Sequence, residues 1–305
     1  MFLGIGRQVR STARKADPKR GAGSHDARLS CWYADRSYHY ADCRNGGEAR
    51  PCGSRKVPLY TDLDVTSMRA IILAGGRGER LMPLTADRPK CMVEVAGLPI
   101  IAHQLRWLAR HSVSDVAVSC GHLAFRIEDF VGDGTKFGLK VQYAVEDQAL
   151  GSGGGLRHAW QAAGWKDHPV IALNGDVITD LPINAMMDLH DELGSSATMA
   201  VVPYVTQKGI VDLDEQFHVT AFREKPTLPY LINAGIYVLD ARVYRLLPQQ
   251  GDCETDTWPQ LAQMRQLRGF RIYGRWISID SVKDVTEANS VPAAPEPNSR
   301  HLSES

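Results

Sequence analysis

The chain has 305 residues, 44% of them apolar, enough for one large domain or two small ones around a substantial core. Its formal net charge is +0, which speaks against a general binder of nucleic acid or membrane surfaces, and no apolar run reaches membrane-spanning length. The six cysteines, at 31, 43, 52, 91, 120 and 253, form no Cys-x-x-Cys pair, so neither a zinc site nor a redox motif is indicated, and reduced thiols in a cytoplasmic protein are expected.

Residues 1–67 differ in character from the rest. They carry 12 Lys+Arg and 7 Asp+Glu, a balance of +5, with much Arg, Gly, Ser and Asp and no sustained apolar period. An uninterrupted apolar h-region is missing, which disfavours a secretory signal, and the acidic residues fit a transit peptide poorly. The segment is expected to be disordered, or an upstream extension from a misassigned start, because Met68 stands directly before the first strand.

Ala70-Ile71-Ile72-Leu73 is long enough for one buried strand. It stops at Ala74-Gly75-Gly76-Arg77-Gly78, where missing side chains let a ligand approach the main chain and free N–H groups can cradle an anion. Two cations follow, Arg80 and Lys90. Strand, glycine loop and spaced cations suggest a polyphosphate site, although a tight structural turn would look similar. No Gly-x-x-x-x-Gly-Lys-Ser/Thr run exists, and Leu81 breaks the dinucleotide fingerprint Gly-x-Gly-x-x-Gly.

Pro99 to Arg110 reads as a helix with Ile101, Leu105 and Leu108 on one face, Val113 to Cys120 as a strand, 124–131 as a helix and 139–143 as a strand. This alternation predicts an open α/β sheet with its ligand beyond the carboxyl ends of the strands. Glu146 to Gly155 is glycine-rich and runs into a helix with Leu156, Ala159, Trp160 and Ala163. It reads either as a linker or as an approach to a helix N-terminus, capped by Ser152, that meets polar ligand edges. Val170 to Leu173 is a strand that delivers Asn174-Gly175-Asp176, where Asp176 is either a metal-holding carboxylate or an ordinary turn former.

A strand at 197–202 precedes a hairpin of 209–213 and 218–222, turning at Asp214-Glu215-Gln216. The charged run Arg223-Glu224-Lys225-Pro226 would by itself be a solvated face, and Asn233 before the strand 233–238 could be a simple turn former. A helix at 257–267 and a strand at 270–273 lead to Gly274 to Asp284, and the Pro/Ser/Glu-rich tail 291–305 is expected to be disordered.

Ala74-Gly75-Gly76-Arg77-Gly78-Glu79-Arg80-Leu81-Met82-Pro83-Leu84-Thr85, followed by Pro89-Lys90-Cys91, resembles the signature of the sugar-1-phosphate nucleotidyltransferases. That signature reads Ala-Gly-Gly-x-Gly-x-Arg-Leu-x-Pro-Leu-Thr and then Pro-Lys-Pro, so Cys91 stands where proline is usual. The resemblance covers 68–290 and implies a Rossmann-like open mixed sheet flanked by helices, the nucleotide-diphospho-sugar transferase fold. It implies nucleotide contacts from Leu73, Ala74, Gly75, Gly76, Gly78, Glu146 and Gly151. Glu224, Lys225, Asn233 and Gly235 would hold the sugar and its phosphate. Arg80 would hold departing pyrophosphate, Lys90 the α-phosphate, and Asp176 a magnesium ion.

Many relatives have Trp-x-Asp-Ile-Gly-Thr-Pro-x-Asp near the end, the first Asp binding metal. Here Ser278 takes that place and Asp280 follows two residues later, as in the Met-Asp-Thr-Leu-Arg-Asp of the cytidylyl branch. Strand side chains alternate, so Asp280 keeps the same face and is the expected second ligand. The implied reaction transfers a nucleotidyl group from an NTP to a sugar 1-phosphate, with GTP and a mannose- or heptose-type phosphate best matching Leu150-Gly151-Ser152-Gly153-Gly154. dTTP, CTP or UTP with glucose 1-phosphate is the alternative, as is a nucleotide-sugar-binding regulatory protein without turnover. A dinucleotide oxidoreductase is disfavoured. The resemblance carries no nucleic-acid or membrane partner, allows a homo-oligomer, and leaves no room for the extra C-terminal domain of longer relatives.

Overall fold

β1 (Met68–Leu73) lies at the centre of the sheet because both its faces are apolar. Ala70 and Ile72 pack into one hydrophobic layer and Ile71 into the other, none of them exposed. A computed structural model of the chain describes residues 68–290, so the expectations for 1–67 and 291–305 lie outside the described residues.

After β1 come β2 (Glu94–Val95), β3 (Leu98–Pro99), α1 (Ile100–Arg110), β4 (Val113–Cys120), α2 (Ala124–Val131), β5 (Lys140–Val145) and α3 (Gly151–Ala162). The chain continues through β6 (Val170–Asn174), β7 (Val177–Thr179), α4 (Ile183–Leu193), β8 (Ala197–Val205), β9 (Ile210–Leu213), β10 (Val219–Arg223) and β11 (Thr227–Leu239). It closes with α5 (Thr257–Gln263), β12 (Leu267–Arg271), β13 (Trp276–Ser278) and α6 (Val282–Ser290).

Seven strands form one mixed sheet in the order β12-β8-β11-β6-β1-β4-β5. β1 runs parallel to both β4 and β6, and β11 alone runs antiparallel to its neighbours. This is the expected Rossmann-like architecture. The order reverses at β1, with β4 and β5 on one side and β6 on the other, so a crevice opens beyond the carboxyl ends of these strands. Three backbone bonds tie its rim: Ala74 N–H to Ser119 O (2.7 Å), Gly175 N–H to Leu73 O (2.8 Å) and Glu146 N–H to Cys120 O (2.7 Å).

α1 forms as its apolar period predicts and buries Ile101, Leu105 and Leu108. The same helix carries a buried amide, Gln104, whose Nε2 donates to Asn174 O (2.8 Å) and Val177 O (2.9 Å). Those carbonyls flank Asp176, so Gln104 fastens the turn that holds it.

Several boundaries differ from the sequence reading: β8 runs on to Val205, β11 begins at Thr227 where the expected strand starts at 233, β12 lies at Leu267–Arg271 in place of the expected 270–273, and two helices differ for visible reasons. α3 begins at Gly151 and contains the glycines expected to lie ahead of it, and Ser152 does not cap it. The N–H of Ser152 bonds to Asp252 Oδ1 (2.8 Å), and those of Gly153 and Gly154 bond to Gly251 O (2.9 and 3.1 Å). The caps therefore come from a loop a hundred residues away, and these donors are not free to meet a ligand. A Cβ on Gly153 would lie 2.7 Å from Pro248 Cγ, so close packing of this loop outweighs glycine's poor helix propensity. α5 stops at Gln263, short of the expected end, because the chain reverses at Arg265 (φ 55°) and Gln266 N–H closes onto Leu261 O at 2.8 Å.

Gln104→Leu keeps the apolar contacts of α1 but strips a donor pair from two carbonyls. It should lower unfolding free energy by about 1–3 kcal/mol in urea titration with an unchanged m-value.

Candidate active site

The crevice holds a cavity of about 570 Å³. Leu73, Ala74, Gly75, Gly76 and Gly78 line it from the loop after β1, Arg80 and Lys90 from the segment that follows, and Glu146, Gly151, Asp176 and Asp280 from three further strand ends. The sequence expectation thus meets in one space for eleven residues from across the chain.

At Gly76 an added Cβ would meet nothing within 4 Å, so this backbone faces open cavity. Gly78 is left-handed (φ 67°), and Thr85 Oγ1 donates to its carbonyl at 2.9 Å, which holds the loop bent over Lys90. Lys90 Nζ donates to Asp176 Oδ2 at 2.6 Å and to Asp280 Oδ1 at 2.9 Å. Arg80 reaches the same Asp280 oxygen at 3.1 Å, but its side chain is 78% exposed and solvent weakens that pair.

The second carboxylate arrives through the pairing of β13 with β7, which sets Ser278 opposite Val177. Ile279 N–H then bonds to Asp176 O (3.0 Å), and Asp280 turns into the cavity with Ser278 Oγ donating to its Oδ2 at 2.8 Å. Ser278 and Asp280 therefore share a side, as alternation predicts. Asp284 Oδ2 accepts from Asp280 N–H, Ser281 N–H and Ser281 Oγ at 2.7–2.9 Å, a capping arrangement at the start of α6.

Burial works to raise the Asp280 carboxyl, but hydrogen bonds from Lys90 and Ser278 and the charges of Lys90 and Arg80 outweigh it and hold the group below the ordinary carboxylate range. The Lys90 ammonium lies where a small cation would touch both carboxylates. The donors are hard oxygens, and magnesium commonly takes one or two carboxylates from protein while phosphates and water fill its other positions. Among the described residues no group of three or more His, Cys, Asp or Glu could hold a metal, so an ion here would share its shell with substrate.

At the other end of the cavity, Glu146 accepts from Ser119 Oγ (2.8 Å) and from Leu150 N–H (3.1 Å), one bond to each carboxylate oxygen. A Cβ on Gly155 would sit 2.7 Å from Glu146 Oε1, so this glycine of α3 makes room for the carboxylate. Ser119 escaped the sequence reading; its signal is a serine at the carboxyl end of an apolar strand, 1% exposed. Cys91 also lines the cavity, and burial pushes its thiol up to about 12, so it is a neutral wall and not a nucleophile.

The four residues assigned to the sugar side do not line this cavity. Glu224 and Lys225 are exposed on the segment between β10 and β11, where Lys225 comes up to Lys283 at the start of α6. Asn233 is engaged internally, its Oδ1 accepting from Gly235 N–H (2.9 Å) and its Nδ2 donating to Tyr237 Oη (2.7 Å). Gly235 is left-handed (φ 70°) and backs Asn174, whose Nδ2 a Cβ would approach to 2.7 Å. Together they shape a bulge in β11 between Asn233 and Tyr237.

A switch-point crevice with a glycine loop, two cations and a carboxylate pair marks an α/β domain of the Rossmann-like class. The family described as "Nucleotidyl transferase" matches residues 69–291, and the chain belongs to it. It is 33% identical over 228 residues to mannose-1-phosphate guanyltransferase of Debaryomyces hansenii, a match covering 71% of this chain and 62% of that protein. It is 32% identical over 245 residues to UTP–glucose-1-phosphate uridylyltransferase of Synechocystis sp., covering 72% and 62%. The chain thus spans less than two thirds of the length of these relatives. Among solved structures it resembles HddC from Yersinia pseudotuberculosis complexed with GMP-PN, with 25% identity, a TM-score of 0.58, and coverage of 73% of this chain and 98% of that one.

The Asp280 shift carries a sign. A carboxyl held low in the folded state adds stability above its unfolded pKa, about 3.9, and that stability fades as pH falls through the folded value. Wild type should therefore lose Tm below about pH 4 faster than Asp280→Asn does, as scanning calorimetry from neutral to acid pH would register.

Proposed function

We propose that this domain transfers a nucleotidyl group from an NTP to a sugar 1-phosphate, releasing pyrophosphate, with GTP and a mannose- or heptose-type 1-phosphate as the preferred pair. The observation that carries the reading is the junction of Lys90 with Asp176 and Asp280 beside the glycine loop. It supplies fixed positive charge and a cation-holding pair in one cavity.

An oxygen of the sugar phosphate attacks the α-phosphorus, and the bond from that phosphorus to the bridging oxygen of pyrophosphate breaks. The nucleophile is largely dianionic at neutral pH, since a phosphate's second pKa is about 6, so no protein base is needed. The barrier is the repulsion of two anions, lowered by positioning and preorganised charge. Lys90 leaves the carboxylates and holds the α-phosphate. Arg80, exposed at the mouth, steadies the departing pyrophosphate, and the N–H groups of the glycine loop cradle the chain of phosphates. Asp176 and Asp280 would hold magnesium, which when bound supplies charge neutralisation to the reacting phosphates.

Glu146 favours guanine. Its carboxylate is acceptor-only and is already oriented by Ser119 and Leu150, so it suits a base edge offering two N–H donors side by side. Guanine has such an edge in its N1–H and N2 amino group. The guanylyl relatives and the GMP-PN complex of HddC agree with this choice. The uridylyl relative of nearly equal identity makes UTP with glucose 1-phosphate the second reading.

Pyrophosphate release should be fastest with GTP in a panel of four NTPs against mannose, heptose and glucose 1-phosphates, and excess EDTA should abolish it. Release from no pair would refute turnover. In the same assay Lys90→Ala should cost on the order of 10²–10³ in kcat/KM. Glu146→Gln should lower kcat/KM for GTP by about 10–100-fold, the weight of a hydrogen bond to a charged group, and narrow the gap to UTP. An unaltered GTP preference would remove Glu146 from base selection.

A further inference from the structure

α1 has a second working face. Gln104 points into the fold below Asp176, while Arg106 and Arg110, one turn apart, stand on the opposite side over a cavity of about 530 Å³. Lys136 adds a third positive charge, and Leu98, Phe130 and Phe137 form apolar walls. No carboxylate lines this space, and it shares no residue with the catalytic cavity. Its size falls in the usual range of small-molecule sites, about 300–1,000 Å³.

Like charges at i and i+4 on a helix repel. Among the described residues neither Arg106 nor Arg110 has an ion-pair partner. Lys136 Nζ donates to Phe130 O, and its ammonium lies 4.0 Å from the Phe130 ring centroid and 5.3 Å from that of Phe137. The aromatic walls thus hold one cation in the cavity, and the helix brings two more to its edge.

We propose that this cavity is a binding site for a phosphomonoester with a planar or apolar body. Two guanidinium forks and one ammonium supply the charge and the N–H donors that a phosphate dianion takes. Phe130, Phe137 and Leu98 accept the body, a combination that favours an organic phosphate over the free inorganic ion.

Phenyl phosphate is the probe, titrated calorimetrically into the full chain, with phenol and inorganic phosphate as the two half-ligands. Phenyl phosphate should bind more tightly than either half. Its affinity should fall at least about tenfold in Arg106→Ala/Arg110→Ala, fall less in Arg106→Lys/Arg110→Lys, which keeps the charge and loses the forks, and persist in Lys90→Ala, which disables the catalytic cavity. Lys136→Ala, a single exposed change, should weaken binding too and replaces the double variant if that one fails to fold. No measurable binding, phenol binding as tightly, inorganic phosphate binding as tightly, an unchanged affinity in the arginine and Lys136 variants, or loss of the site in Lys90→Ala would each overturn the proposal.

Discussion

Two carboxylates facing one another in a half-buried pocket repel, and the domain is arranged around the single ammonium that reconciles them. Lys90 lies 86 positions from Asp176 and 190 from Asp280, so neither contact is local. Each needs its own device. For Asp176 it is the turn after β6, fastened by Gln104 and by Gly175 N–H on Leu73. For Asp280 it is the short ladder of β13 on β7 and the cap of α6. A third, smaller apolar cluster of Leu81, Val93, Val95, Ile100, Ile178, Ile279 and Val285 glues these pieces together beneath the site.

The Glu146 end of the cavity follows a different logic. α3 carries Gly151, Gly153, Gly154 and Gly155 in its first turns, a composition that costs about 1 kcal/mol per glycine against alanine. The helix stands because Leu156, Ala159 and Trp160 are fully buried behind those glycines and because loop 248–252 receives its first N–H groups. The bare surface that results admits Glu146 on one side and that loop on the other.

Much of this could be read from the chain. β1 and the glycine loop announce themselves by an abrupt change from branched apolar residues to residues without side chains. Asp176 follows a buried strand in the same manner, and the period of two carries Asp280 to the face that Ser278 vacates. Gln104, Ser119 and the 248–252 loop were not legible, because what makes them matter is a partner 70, 27 or about 100 residues away in sequence. A polar residue in an apolar run signals only that some partner exists. Asn233 and Gly235 were flagged by resemblance, yet in the fold they bond within β11 itself and Gly235 packs its bare backbone on Asn174, a matter of backbone shape that no motif encodes.

The two acidic side chains are not mounted alike. Asp176 hangs from a turn riveted to the central sheet, whereas Asp280 is carried on the cap of the terminal helix, braced chiefly by Asp284 and Ser278. The two carboxylates are therefore mounted on different parts of the fold, one on the central sheet and one at the start of the last described helix. Damage to the cap of α6 would unseat one acid and leave the other on its seven-stranded scaffold.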